Sequence, residues 1–382
     1  MLYYNQVKQI VKGGHFLKVY DKILNLPDEL VKYLYERYYD GVFFDIETTG
    51  FVPANSSLYL IGCAYFEDKV LHLSQWFLDT PEDEEALICA FLDFCSGFSK
   101  IIHYNGAGFD IPYIIKKCAI YHIPCDFSHL KSIDIYKLIT PYKDFLKLAG
   151  LKQKQLEDFM GISRKDEYSG GELIKVYNSY ISSPSDKLLM LLLLHNYEDV
   201  LGMLKIISVL NYIELANGNF TVSDFTVTDS KTASDVTVKE AVITLRTAAD
   251  IPVRISNGND NFYLTACGDT AKICVRIHTD ELKYFYPNYK DYYYLPAEDC
   301  SIHKSVAFYV DKNYRTKAKA ADCYSKKTGT FLPQYRPVFE PYFKIDYMDT
   351  ITYFELTDDF SSDNGRIKEY AAHIIATLAK KQ

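Results

Sequence analysis

Val42-Phe43-Phe44-Asp45-Ile46-Glu47-Thr48-Thr49-Gly50 places two carboxylates inside an apolar, β-prone run. Side chains alternate along a strand, so Asp45 and Glu47 share one face while Phe44 and Ile46 take the other. Anions held this close raise each other's pKa, and burying unpaired carboxylates is costly, so the pair makes physical sense with a cation between them. Hard oxygen donors suit magnesium or manganese. The alternative is an exposed edge strand with solvated acids; the aromatic and aliphatic flanks and the Thr-Thr-Gly turn argue against it.

Working outward, Leu26-Pro27-Asp28-Glu29 opens a helix whose Leu30, Leu34 and Tyr38 recur at helical spacing and deliver the chain into this strand. Leu58 to Phe66 and Lys69 to Phe77 read as two further strands joined at Glu67-Asp68, giving an antiparallel meander. Pro81 to Ser96 has acids in its first turn and apolar residues at helical spacing, and Lys100 to Tyr104 returns as a short buried strand. A crossover of that length predicts a parallel pair and a mixed α/β sheet.

Beyond the fourth strand lies His103-Tyr104-Asn105-Gly106-Ala107-Gly108-Phe109-Asp110, where ligands gather in open α/β sheets. Asp110 alone reads as a helix N-cap; beside Asp45 and Glu47 it reads better as a third metal-site carboxylate. Asp134, after another short strand, is assigned as a plain N-cap. Leu188 to Leu210 is an apolar helix interrupted by His195-Asn196-Tyr197-Glu198-Asp199. His195 and Asp199 are four apart and share a face, whereas Tyr197 points roughly the opposite way.

Composition bounds what such a site belongs to. The 382 residues are long for one core, and 48% hydrophobic with 24% charged describes an ordinary globular protein of two domains. A net charge of −8 argues against indiscriminate polyanion binding but leaves room for local positive charge. Nine cysteines without a C-x-x-C pair suggest neither a zinc ribbon nor a disulfide framework, so a reducing cytoplasmic setting is expected. Met1 to Lys12 lacks the apolar core of a signal peptide, and no stretch approaches membrane-spanning length, so no membrane role is expected.

The pattern D-x-E, then N-x-x-x-F-D, then H-x-x-x-D resembles the ribonuclease H-like DEDD exonuclease superfamily, with Asp45, Glu47, Asp110 and Asp199 matching its four metal-binding acids. More narrowly, Asp45-Ile-Glu-Thr-Thr-Gly50, Asn105-Gly-Ala-Gly-Phe-Asp110, Leu156-Glu-Asp-Phe-Met-Gly-Ile162 and His195-Asn-Tyr-Glu-Asp-Val200 are similar to the YprB-like prokaryotic branch, over roughly residues 35 to 212. The resemblance implies a ribonuclease H-like fold in residues 1–214, with a helical lead-in to about residue 40, and a two-ion Mg2+ or Mn2+ site. It further implies that Asp45 bridges both ions, Glu47 and Asp199 favour the ion nearer the water, and Asp110 the other. It makes His195 the residue that orients or deprotonates the attacking water, although here the histidine stands at the spacing at which relatives carry tyrosine. Thr48 and Asn105 are expected to touch nucleic acid.

Residues 215–382 read as a second, β-rich α+β domain that resembles no family known to us. Thr226 to Thr228, Ala241 to Thr247, Pro252 to Ile255, Asn261 to Ala266 and Lys272 to His278 read as short strands, separated by turn signals at 256–260 and 267–270. Arg366 to Lys380 reads as a closing amphipathic helix. Between His303 and Arg336, eight Lys or Arg residues face two acids and are interleaved with aromatics. Such a segment suits single-stranded nucleic acid, with Lys317, Lys319, Lys326 and Lys327 as phosphate contacts; a charged outer face of a β domain is an equal alternative. The sequence thus predicts a metal-dependent nuclease, by resemblance a 3′-5′ exonuclease. Its alternatives are a catalytically idle nucleic-acid-binding or adaptor protein and a ribonuclease H-like endonuclease.

Overall fold

The computed structural model describes residues 4, 6–12, 15–166, 168–231 and 237–379. They divide into two compact units, Met1–Lys143 with Lys147–Leu210, and Asp144–Leu146 with Asn211–Gln382.

The first unit is built on a seven-stranded sheet. Its elements are β1 (Gln6–Lys12), β2 (His15–Ile23), α1 (Asp28–Tyr38), β3 (Gly41–Thr48), β4 (Leu58–Glu67), β5 (Val70–Phe77), α2 (Glu84–Cys95), β6 (Lys100–His103), α3 (Asp110–Ile120), β7 (Lys131–Asp134), α4 (Ile135–Ile139), α5 (Gln153–Phe159), α6 (Gly170–Ser182) and α7 (Asp186–Ile206). The spatial order is β1-β2-β5-β4-β3-β6-β7. β3 pairs antiparallel with β4 and parallel with β6, so the predicted meander and crossover are both present. Helix α1 starts at Asp28 and buries Leu34 and Tyr38.

Two details differ from the sequence reading. The segment ahead of Leu26 is not a helical lead-in. It holds two strands, and β2 adds antiparallel to β5 at the far side of the meander. The β4–β5 turn is centred one residue later than expected, on Asp68 and Lys69, whose φ angles of 48° and 67° are those of a hairpin turn matched to strand twist.

The core lies on both faces of this sheet. Phe44 packs its ring 5.5 Å from that of Phe91 on α2, and Tyr59 stacks on Tyr177 of α6 at 4.1 Å. Each such fully buried ring contributes on the order of 2–3 kcal/mol of apolar burial. Because Phe44 is committed to the α2 side, Asp45 and Glu47 are forced to the other.

The second unit is β-rich. It comprises α8 (Asn211–Ala216), β8 (Phe220–Lys231), β9 (Thr237–Gly258), β10 (Phe262–Arg276), β11 (His278–Phe285), β12 (Tyr292–Leu295), β13 (Cys300–His303), α9 (Lys304–Ala307), β14 (Thr316–Lys317), β15 (Tyr324–Gln334), β16 (Tyr342–Phe343), β17 (Thr352–Glu355), α10 (Asp358–Ser362) and α11 (Asn364–Ala379). Three sheets result, ordered β10-β9-β8, β11-β15-β17-β16 and β13-β12-β14. The predicted closing helix is α11, which buries Ile367, Tyr370, Ala371 and Ile374 as its spacing requires.

The short strands of the sequence reading are segments of long ones. Cys267-Gly268-Asp269-Thr270 is not a turn: β10 runs through it, with register shifts on either side of Gly268, whose φ is +57°. Turn-forming residues inside a strand mark a bulge, and a bulge carries the same residue signal as a strand end.

Candidate metal centre

Strand β3, helix α3 and helix α7 each bring acids to one place. Asp45 and Glu47 project from β3 beneath α7. Asp110 is the first residue of α3, one step inside the cap position, which Phe109 occupies without a side-chain cap bond. The turn before it is held from behind. Asp134 accepts the Asn105 amide at 3.0 Å and the Ala107 amide at 3.4 Å, while also capping α4 through the Lys137 amide. Asn105 itself adopts φ 61° and is exposed.

His195 and Asp199 stand one turn apart on α7, as their spacing predicts. His195 Nε2 lies 3.3 Å from Asp199 Oδ2 and 3.6 Å from Glu47 Oε1. One donor atom from each of Glu47, His195 and Asp199 falls within 4.8 Å of the other two. Tyr197 lies elsewhere: its ring sits under Lys22, whose Nζ is 4.7 Å from the centroid.

Electrostatics tie Asp45 and Asp110 to the same centre. Burial, then the charges of Asp199, Glu47 and Asp110, push the Asp45 carboxyl well above the usual carboxylate range, opposed by one bond from Asn196. Burial, then Asp199, Asp110 and Asp166, do the same to Glu47. Asp110 is pushed up to about 7, chiefly by burial and further by Asp134 and Asp199, although its own amide and that of Ile46 pull the other way. Carboxylates that disfavour one another this strongly are stabilised as anions by a multivalent cation. The carboxylates of Asp45, Glu47, Asp110 and Asp199, with the His195 imidazole beside them, are a donor set that could hold a divalent ion.

Three residues that sequence reasoning missed shape the centre. Asn196 donates to Asp45 Oδ2 at 3.0 Å. Asp166 Oδ2 lies 2.6 Å from His195 Nδ1 and is nearly fully buried. Arg164 donates to Asp199 Oδ1 and to both oxygens of Glu157. Arg164 and Asp166 come from the irregular segment between α5 and α6, where no periodicity flags them. Glu198, the residue before Asp199 on α7, accepts the Lys165 amide at 2.9 Å and the Asp166 amide at 2.7 Å and so fastens that segment to α7.

The remaining expected contacts are dispersed. Thr48 sits beyond a register shift at the end of β3 and donates to the Gly50 carbonyl at 3.0 Å. In the second unit, Lys317 (on β14) and Lys319 are exposed. Lys326 pairs with Asp299 at 2.5 Å and Glu281 at 3.5 Å, and Lys327 with Glu355 at 2.6 Å. Two of the four lysines therefore already face carboxylates.

This sheet order and acid cluster define a ribonuclease H-like α/β domain. Residues 42–211 match the RNase_H_2 family model, described as RNase_H superfamily, and that segment belongs to this superfamily. No curated protein sequence matches the chain. Among solved structures, the chain is similar to the family B DNA polymerase of the archaeon Pyrobaculum calidifontis, with 13% identity, TM-score 0.38, and 66% of this chain and 35% of that chain covered. It is also similar to E. coli exonuclease I in complex with a dT13 oligonucleotide, at 11% identity and TM-score 0.30, with 55% of each chain covered. A product-bound exonuclease I gives 11% identity and TM-score 0.30, covering 60% of this chain and 59% of that one. The chain thus spans about a third of the polymerase and little more than half of the exonuclease. Among the described residues, no helix is long and apolar enough to cross a membrane.

Proposed function

We propose that the protein is a metal-dependent nuclease that hydrolyses phosphodiester bonds in nucleic acid, and that it works from a free 3′ end. The observation that carries the metal-dependent nuclease reading is the convergence of Asp45, Glu47, Asp110 and Asp199 in a ribonuclease H superfamily domain, with burial and mutual charge raising the first three. The 3′ end is what the resemblance to DEDD exonucleases implies. Asp45, Glu47, Asp110 and Asp199 would hold two divalent ions. When bound, such ions supply activation of water on one side of the phosphate and stabilisation of the departing oxygen on the other. The chain's own residues do the positioning. Asn196 orients Asp45 from α7, and Arg164 takes one oxygen of Asp199, leaving Oδ2 turned toward the centre. In this reading Thr48, at the end of β3, and Asn105, in the turn after β6, would meet the terminal nucleotide, and the exposed Lys317 and Lys319 would add phosphate contacts. A cytoplasmic location belongs to the same reading, supported by nine cysteines that are all free thiols.

The test is digestion of end-labelled single- and double-stranded DNA and RNA with Mg2+ or Mn2+. A ladder descending from the 3′ end supports the proposal. Internal fragments alone would instead favour an endonuclease, and intact substrate an idle binding protein.

A further inference from the structure

Resting on that metal-site reading, we infer that His195 is itself a metal ligand through Nε2, so that Glu47, His195 and Asp199 form a mixed nitrogen and oxygen site selective for Mn2+ over Mg2+, with Asp166 as the positioning residue that fixes the ring.

The argument begins at the far side of the imidazole. Asp166 is buried, its Oδ1 accepts the Tyr168 amide at 3.1 Å, and the Lys154 ammonium lies 3.5 Å from Oδ2. Asp166 Oδ2 lies 2.6 Å from His195 Nδ1, so that ring nitrogen is engaged on the side away from the other acids. With Nδ1 engaged, Nε2 is the ring nitrogen left facing the centre. Nε2 faces two carboxylate oxygens, at 3.3 and 3.6 Å, and a cation among these three donor atoms would be shared by all of them. Around a six-coordinate ion with bonds of about 2.1 Å, neighbouring donors stand roughly 3 Å apart. The observed separations of 3.3 and 3.6 Å are close to that spacing.

Two of the three ligands are also held by their other end. Asp166 fixes Nδ1 of His195, Arg164 takes Oδ1 of Asp199, and Glu198 fastens the segment that supplies both. A carboxylate behind the distal nitrogen is the common support of a metal-bound histidine. Imidazole favours transition metals, whereas Mg2+ prefers oxygen alone; Mn2+ accepts both. The competing arrangement is a doubly protonated His195 acting as a fixed counter-cation outside the coordination sphere.

Pulsed EPR of Mn2+ bound to the full chain, without nucleic acid, separates the two. Direct ligation predicts 14N modulation from a coordinated imidazole in the wild type and its loss in His195→Ala. Calorimetry is expected to show Mn2+ affinity falling ~10–100-fold in both His195→Ala and Asp166→Asn, with a smaller change for Mg2+. Circular dichroism confirms that each variant is folded, and the wild-type spectrum stands even if one is not. Mn2+ bound without 14N modulation, or with unchanged affinity in His195→Ala, overturns the ligand assignment and leaves the nuclease reading intact. Failure of the wild type to bind either ion at millimolar concentration overturns both.

Discussion

Asn196 Nδ2 lies 3.0 Å from Asp45 Oδ2, and this hydrogen bond couples helix α7 to the central strand of the site. It belongs to a longer chain: Tyr4 donates to Gln75 Oε1 at 2.7 Å, and Gln75 Nε2 donates to Asn196 Oδ1 at 2.8 Å. Gln75 and Asn196 are fully buried, so the Asp45 carboxylate is oriented from inside the sheet.

The relay needs Gly62. A Cβ there would stand 2.0 Å from Asn196 Oδ1, and Asn196 cannot swing aside without losing Gln75 and Asp45. Gly62→Ala is expected to destabilise the first unit by about 1–3 kcal/mol in urea titration and to cut hydrolysis sharply below its melting point. Unchanged stability and turnover would show that the relay is not required.

A second buried cluster supports the helix that carries Asp110. Glu84 on α2 accepts the Leu58 amide at 2.6 Å, the Lys117 ammonium at 2.9 Å and the Tyr121 hydroxyl at 2.7 Å. Lys117→Ala leaves that carboxylate buried without its cation, which is expected to cost about 3–5 kcal/mol. Metal affinity of the folded variant, measured by calorimetry, should stay at the wild-type value, because Lys117 touches none of the metal-site acids.

Acid lability is expected from His103. Its Nδ1 accepts the Gly106 amide at 3.0 Å, its Nε2 lies 2.8 Å from Ser132 Oγ, and burial lowers its pKa to about 4. The unfolded chain, with a histidine near 6.5, takes up this proton first as pH falls. The contribution is therefore complete above pH ~6.5 and declines toward pH 4 by up to about 1.4 kcal/mol per pH unit. Trp76, the single tryptophan, sits on β5 and reports this unit by fluorescence. His103→Gln can keep both hydrogen bonds without titrating, so it should flatten the profile; an unchanged profile would assign the lability elsewhere.

The basic segment of the second unit should divide into two pairs. Lys317→Ala with Lys319→Ala is expected to reduce the salt dependence of oligonucleotide binding by ~0.7–0.9 in logarithmic slope per lost phosphate contact. Lys326→Ala with Lys327→Ala should leave the slope unchanged, because those ammonium groups face Asp299, Glu281 and Glu355. No effect from either pair would remove this segment from substrate binding, and an equal effect from both would show that the carboxylates do not withhold Lys326 and Lys327.

What the sequence made legible was whatever a period could carry. Asp45 and Glu47 were readable from alternation on a strand, and His195 with Asp199 from helical spacing, so the acids and the mixed sheet were foreseen. Asp166 and Arg164 obey no period, because the segment between α5 and α6 is shaped by bonds to Glu198 and Glu157 that cross 32 to 33 and 7 residues of chain. Asn196 was hidden for another reason: its role depends on the absence of a side chain at Gly62, on a different strand. In the second unit, Gly268 gave a turn signal inside a strand, since a bulge and a turn require the same backbone freedom.

The central claim is tested most directly by incubating 3′- and 5′-labelled single-stranded oligonucleotides with the wild type and with Asp45→Asn, with Mn2+, with Mg2+ and with chelator. The account predicts hydrolysis by the wild type with either ion, none with chelator, and none by Asp45→Asn, whose metal-free melting temperature holds or rises because one of four mutually repelling acids is gone. Hydrolysis that survives in Asp45→Asn, or that proceeds in chelator, would contradict it.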